Sequence, residues 1–156
     1  MHGGWLPDAA GGASREQTVE ELCAAGMQAE ADGNVETASR LFERAWAVRQ
    51  DAYEACVAAH FLARAQTSET QRLCWNERAL QCADASPAER VRGFYASLYL
   101  NLGHAHEMLG ATDEARRLYA LAAARLEDVP AGPYGDVVRE GILRAHQRVR
   151  PDLSDL

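Results

Sequence analysis

Two histidines stand with one residue between them in YLNLGHAHEMLG, residues 99–110. An imidazole ionises near neutral pH and ligates metals, so His104 and His106 are the first side chains to weigh for proton transfer or metal binding. On a helix, residues two apart diverge by about 200°. The pair therefore cannot make the four-residue spacing of the H-E-x-x-H metal helix. A cluster of His60, His104 and Glu107 is conceivable in space but has no local motif behind it. Cys23, Cys56, Cys74 and Cys82 form no C-x-x-C pair; they suit a reducing compartment in which cysteine is a small core residue. The glycines of GGWLP and AAGGAS neither follow a strand nor precede a phosphate-binding lysine, and there is no serine nucleophile elbow. Glu20, Glu21, Asp113 and Glu114 sit where helices open and complement the helix dipole there. No nucleophile, acid, metal set or cofactor motif converges, and the expectation is a protein that is not an enzyme and holds no cofactor.

The chain has 156 residues, 47% of them apolar, enough for one domain or a short repeat array. Its sixteen basic residues are all arginine and its net charge is −7, which argues against a general nucleic-acid binder. MHGGWLPDAAGGAS lacks the basic start and apolar run of a secretory signal. No stretch approaches the roughly 18–20 apolar residues of a membrane span. A cytoplasmic protein without membrane or nucleic-acid partners is expected.

Alanine, leucine, glutamate and arginine favour helix, and prolines and glycines fall between periodic segments. After a flexible leader, residues 1–14, a capping box of Ser14 with Gln17 opens a helix at about 15–32. Asp32, Gly33 and Asn34 break it, and Asn34 caps a second at about 35–49. Further helices are expected near 51–66, 69–84 (capped by Ser68 with Gln71), 87–109 (Ser86, Pro87 and Glu89), 112–126 and 134–149, with a tail at 150–156. The spacing predicts an all-α chain of antiparallel hairpins over 15–149.

Internal periodicity sharpens this. Placing Gly26 over Gly103 brings Gly33 onto Gly110, Ala38 onto Ala115, Phe42 onto Tyr119 and Ala45 onto Ala122. These positions resemble the tetratricopeptide repeat family, whose unit of about 34 residues is two antiparallel helices with glycines in the first helix and turn and an alanine, an aromatic and an alanine in the second. Residues 96–129 and 19–52 carry the pattern. Residues 53–85 depart from it: His60 stands at the small position, no glycine marks the turn, and Arg72 replaces an alanine.

The resemblance implies a curved array whose first helices line a groove for a peptide or protein segment. Carried over position by position, the groove would comprise Glu20, Cys23, Met27 and Glu30, then Val57, Phe61 and Arg64, then Leu100, His104, Glu107 and Met108. It also places His106 at an internal packing position. Phe61, Leu100 and Met108 are the expected apolar anchors, with Arg64, His104 and Glu107 orienting a partner. The lysine, asparagine and arginine set by which some members hold a terminal carboxylate is missing, which disfavours a chaperone-tail clamp. The alternative is a homo-oligomer, for instance a homodimer docked through Trp46, Trp75 or the back faces.

Overall fold

The computed structural model describes residues 16–151. Seven helices follow one another: α1 Val19–Ala31, α2 Val35–Ala47, α3 Ala52–Ala65, α4 Glu69–Asp84, α5 Tyr95–Met108, α6 Thr112–Ala123 and α7 Pro133–Val149. A single α-helical turn, Ala88–Val91, and a 3-10 turn, Arg92–Phe94, lead into α5, and a second 3-10 turn, Leu126–Asp128, precedes α7. No strand occurs among the described residues. The pairs α1–α2, α3–α4 and α5–α6 are antiparallel hairpins, with α7 packed on α6 and α5. The fold is an all-α array of helical hairpins.

Local chemistry explains most ends. Thr18 Oγ1 accepts from the Glu21 amide at 3.1 Å while Glu21 Oε1 accepts from the Thr18 amide at 2.8 Å, a full capping box. Asp51 caps α3 through the Glu54 amide at 2.8 Å, and Ser68 caps α4 through the Gln71 amide at 3.3 Å. The turns after α1 and α5 are copies of each other. Gly33 and Gly110 both have φ +85°, and the amides that follow reach back to Ala29 O at 2.8 Å and His106 O at 2.9 Å, closing the helix with a left-handed glycine. The middle turn has no glycine. There Gln66 Nε2 donates to Leu62 O at 3.0 Å and the Arg72 guanidinium donates to Gln66 O, so side chains satisfy carbonyls that a Schellman turn would otherwise close.

Several sequence expectations need correction. The first helix begins at Val19, not near 15, because Thr18–Glu21 captures the cap and Val19 enters the core; Ser14 and the rest of the leader to residue 15 lie outside the described residues, as does the tail from residue 152. Asn34 stands at the start of α2 without a side-chain cap bond. Ser86 donates to Cys82 O at 2.7 Å, finishing α4 rather than opening the next helix, and Pro87 itself takes the cap position. The expected helix 87–109 breaks at 92–94, where the α6–α7 loop comes so close that a Cβ on Gly93 would lie 3.1 Å from Asp128 O. The helix expected to reach 126 ends at Ala123.

The core is a chain of small clusters rather than one mass, as a quasi-one-dimensional stack requires. Val19, Leu22, Phe42, Ala58 and Leu62 join α1 to α3; Cys56, Ala59, Ala79, Ala83, Val91 and Leu98 join α3 and α4 to α5; Ala96, Ala122, Val138 and Ile142 join α5 and α6 to α7. Within the outer hairpins a glycine meets a ring. A Cβ on Gly26 would sit 2.3 Å from Phe42 Cε1, and one on Gly103 would sit 2.7 Å from Tyr119 Cε1. Trp46 and Trp75 pack edge to face at 5.0 Å, with Arg49 and Arg78 over their rings, so these two indoles are engaged within the chain.

Candidate partner-binding groove

Successive first helices touch where α1 meets α3 and where α5 meets α7, whereas the middle joint is carried mainly by α4 against α5. Each outer joint has an ion pair. Glu30 of α1 holds Arg64 of α3 at 2.8 Å, and Glu107 of α5 holds Arg148 of α7 at 3.0 Å. At the middle joint the contact on the groove side is the ring of His60. It lies edge to face on Phe94 at 4.9 Å and on Phe61 at 5.2 Å, with Nδ1 3.4 Å from Asn101 Nδ2. Burial, reinforced by the Arg64 cation, pushes His60 down to about 4, so the imidazole is neutral near pH 7 and Nδ1 can accept from the asparagine.

Two clefts open near this joint, one lined by Asn101 and the other by the His60 ring itself. One, of about 450 Å³, is polar: Glu30, Arg64, Arg72, Asn76, Asn101 and His104 line it. The other, of about 350 Å³, is aromatic: Tyr53, Phe61, Phe94 and Tyr134 line it with Val57 and Arg90. Arg90 lies 3.9 Å over the Tyr53 ring and 3.5 Å from Asp51, while Tyr134 is held by a 2.5 Å hydrogen bond to Ser97.

The residues expected along the groove divide into three groups. Glu20, Met27, His104 and Met108 are exposed on it. Glu30, Phe61, Arg64 and Leu100 are half in use: the first and third pair with each other, Phe61 stacks on Phe42 at 5.3 Å, and Leu100 lies against Gly141 of α7. Cys23 is buried, at 2% exposure, facing the hairpin interior, and so cannot serve as a contact residue, whereas Val57, 8% exposed, is mostly buried but lines the aromatic cleft. Burial, with Glu20 adding to it, raises the Cys23 thiol to about 12, so it is no nucleophile at neutral pH.

Glu107 also needs correction as a partner-orienting group. Its carboxylate accepts from Tyr119 Oη at 2.6 Å and from the Arg148 guanidinium at 3.0 and 3.1 Å. Hydrogen bonds from Arg148 above all, and from Tyr119, hold it below the usual carboxylate range. Its work is to fasten α7. Arg148→Ala should therefore lower stability by about 1 kcal/mol, modest because the guanidinium is largely exposed, while speeding amide exchange selectively in residues 133–149. Unchanged exchange there, read by mass spectrometry, would show that α7 is held by its apolar face alone.

Asn76, Asn101, Phe94, Tyr134 and Arg90 line the clefts without belonging to the expected groove. Asn76 had a visible signal, since it falls 34 residues after Phe42 and 43 before Tyr119, at the ring position of the middle hairpin. Phe94 and Tyr134 had none, because only folding of the loops brings them to α3. Among the described residues no three His, Cys, Asp or Glu side chains converge to hold a metal ion, and no helix is long and apolar enough to cross a membrane. No protein-family model matches the chain, and no curated protein is similar to it.

Proposed function

We propose that the protein is a tetratricopeptide-like, non-catalytic interaction module that takes an extended segment of a partner protein along α1, α3 and α5. The observation that carries this reading is the middle joint: two clefts, one polar and one aromatic, each lined in part by α3. Exposed Met27, His104 and Met108 border the same face. Aromatic and methionine side chains beside fixed polar groups suit a partner that inserts alternate apolar and polar side chains. A cytoplasmic setting fits four free cysteines, two of them buried as core residues.

Selection of displayed random peptides on the purified protein tests this. Binders should enrich, and the double substitution Met27→Glu with His104→Glu should weaken them by about tenfold or more, since it places charge on exposed positions without entering the core. Peptides retained at full affinity by that variant, with its helical circular dichroism intact, would reject the first-helix groove. If none enriches and the protein forms a stable dimer that the same variant dissociates, self-association replaces this reading.

A further inference from the structure

The aromatic cleft at the middle joint is walled by rings that are held in place yet left uncovered. Tyr53 and Phe61 come from α3, Phe94 from the 3-10 turn before α5, and Tyr134 from the first turn of α7. The first three are only half-buried and Tyr134 is 52% exposed, although rings of this size gain much from burial. Each has a fixed partner. Phe61 stacks on Phe42 at 5.3 Å, Phe94 meets His60 edge to face at 4.9 Å, Arg90 lies 3.9 Å over Tyr53, and Tyr134 shares a 2.5 Å hydrogen bond with Ser97. The space of about 350 Å³ between them is therefore preformed, and a large apolar side chain enters it at little ordering cost. Arg90 is already engaged by Tyr53 and by Asp51 at 3.5 Å, so apolar contact rather than charge selects the occupant.

The chain itself carries such a side chain close by. Residues 1–15 precede the described ones, and their large apolar side chains are Met1 and the adjacent Trp5 and Leu6, followed by Pro7 and then by DAAGGASR. The described chain begins beside the cleft: Glu16, Gln17 and Val19 border a small cavity together with Gln50 and Glu54, which flank Tyr53 in sequence. From Tyr53 to Phe61 α3 rises about 12 Å, whereas the chain from Pro7 to Glu16 reaches up to about 30 Å. A tether of this length holds Trp5 near the rings at an effective concentration in the millimolar range. Neither a foreign segment nor a second copy matches that at ordinary protein concentrations. We infer that Trp5, with Leu6 and Pro7 beside it, occupies the aromatic cleft of its own chain. The leader then competes with partner segments for this part of the groove. That competition rests on the groove reading above; the leader contact itself does not.

Nuclear magnetic resonance on the full-length protein tests it. Nuclear Overhauser contacts should join the Trp5 indole, identified by its loss in Trp5→Ala, to the ring protons of Tyr53, Phe94 or Tyr134. Absence of any such contact would overturn the inference. Contacts found only between labelled and unlabelled copies would overturn it in favour of leader exchange between molecules. A synthetic peptide of residues 1–12 should bind Trp5→Ala about tenfold or more tighter than it binds the parent, whose cleft is filled in cis. Equal affinity, or no binding to either protein, would overturn the inference. Adding Tyr134→Ala to Trp5→Ala removes an exposed wall of the cleft and should weaken the peptide by about tenfold. Unchanged affinity, with helical circular dichroism intact, would overturn the assignment to this cleft; if that variant misfolds, the Overhauser contacts decide alone. Displayed peptides that depend on Met27 and His104, bound alike by parent and Trp5→Ala without any leader contact, would sink this inference and leave the interaction module standing. Leader contacts, with no displayed peptide enriched even on Trp5→Ala, would uphold the leader site and remove the partner-segment reading.

Discussion

Gly103→Leu should cost about 3 kcal/mol of stability, the upper end of the usual overpacking range. A Cβ alone would lie 2.7 and 2.8 Å from the Tyr119 ring and 3.3 Å from Leu118 Cβ. The ring has no room to retreat, because Tyr119 is fully buried and its hydroxyl is anchored to Glu107 at 2.6 Å. A leucine must therefore push α5 away from α6 or break the Tyr119–Glu107–Arg148 network. Urea melts of both proteins measure this, and an unchanged midpoint with an unchanged slope would show that the two helices separate freely. A double-mutant cycle with Tyr119→Ala sharpens the result. Removing the ring leaves a cavity that the leucine partly fills, so the two costs should be less than additive by about 1–3 kcal/mol. The middle hairpin has the same exchange built in, with its ring on the first helix and its small residue on the second.

Acidification should destabilise the protein through His60. The unfolded imidazole titrates near 6.5, whereas burial, with the Arg64 cation, holds the folded one at about 4. Between those values the unfolded chain binds a proton that the folded chain refuses. Stability from this group is therefore complete above about pH 6.5, declines as pH falls towards 4, and changes no further below that, a total of about 3 kcal/mol. The surroundings offer no compensation: Phe61 and Phe94 cover the ring, Asn101 contributes an uncharged amide, and Arg64 opposes the proton. His60→Gln keeps a polar group able to meet Asn101 and cannot take up charge. Between pH 7 and pH 4.5 the parent should lose about 2–3 kcal/mol more than this variant. Parallel loss in both would mean that solvent reaches the imidazole freely.

Much of the architecture is written locally. The helices expected at 51–66 and 69–84 appear as Ala52–Ala65 and Glu69–Asp84, because Ser68 and the charged and alanine-rich runs act over one or two turns. Gly33 and Gly110 announce left-handed turns, since few other residues tolerate φ +85°. The pairing of Gly26 with Phe42 and of Gly103 with Tyr119 follows from periodicity, as does the irregularity at His60 and Arg72. The cap of α1 was harder: Ser14–Gln17 and Thr18–Glu21 offer similar signals four residues apart, and Thr18–Glu21, which brings Val19 into the core, forms the cap.

The groove shows where local information stops. Repeat periodicity places Cys23, Val57 and Glu107 on the inner face, but whether a side chain on that face meets solvent, a neighbouring helix or a counter-ion depends on residues far along the chain. Glu30 finds Arg64 thirty-four residues on and Glu107 finds Arg148 forty-one residues on, and these pairings withdraw charges that the sequence alone leaves available. The middle joint is decided the same way. His60 turns towards Phe94 because the chain breaks at 92–94 against the α6–α7 loop, and that turn leaves Asn76 facing an open cleft. Caps, turns and periodicity act over a few residues and are determined by the sequence; free space and charge partners depend on ångström-scale distances between helices, which only the tertiary packing decides.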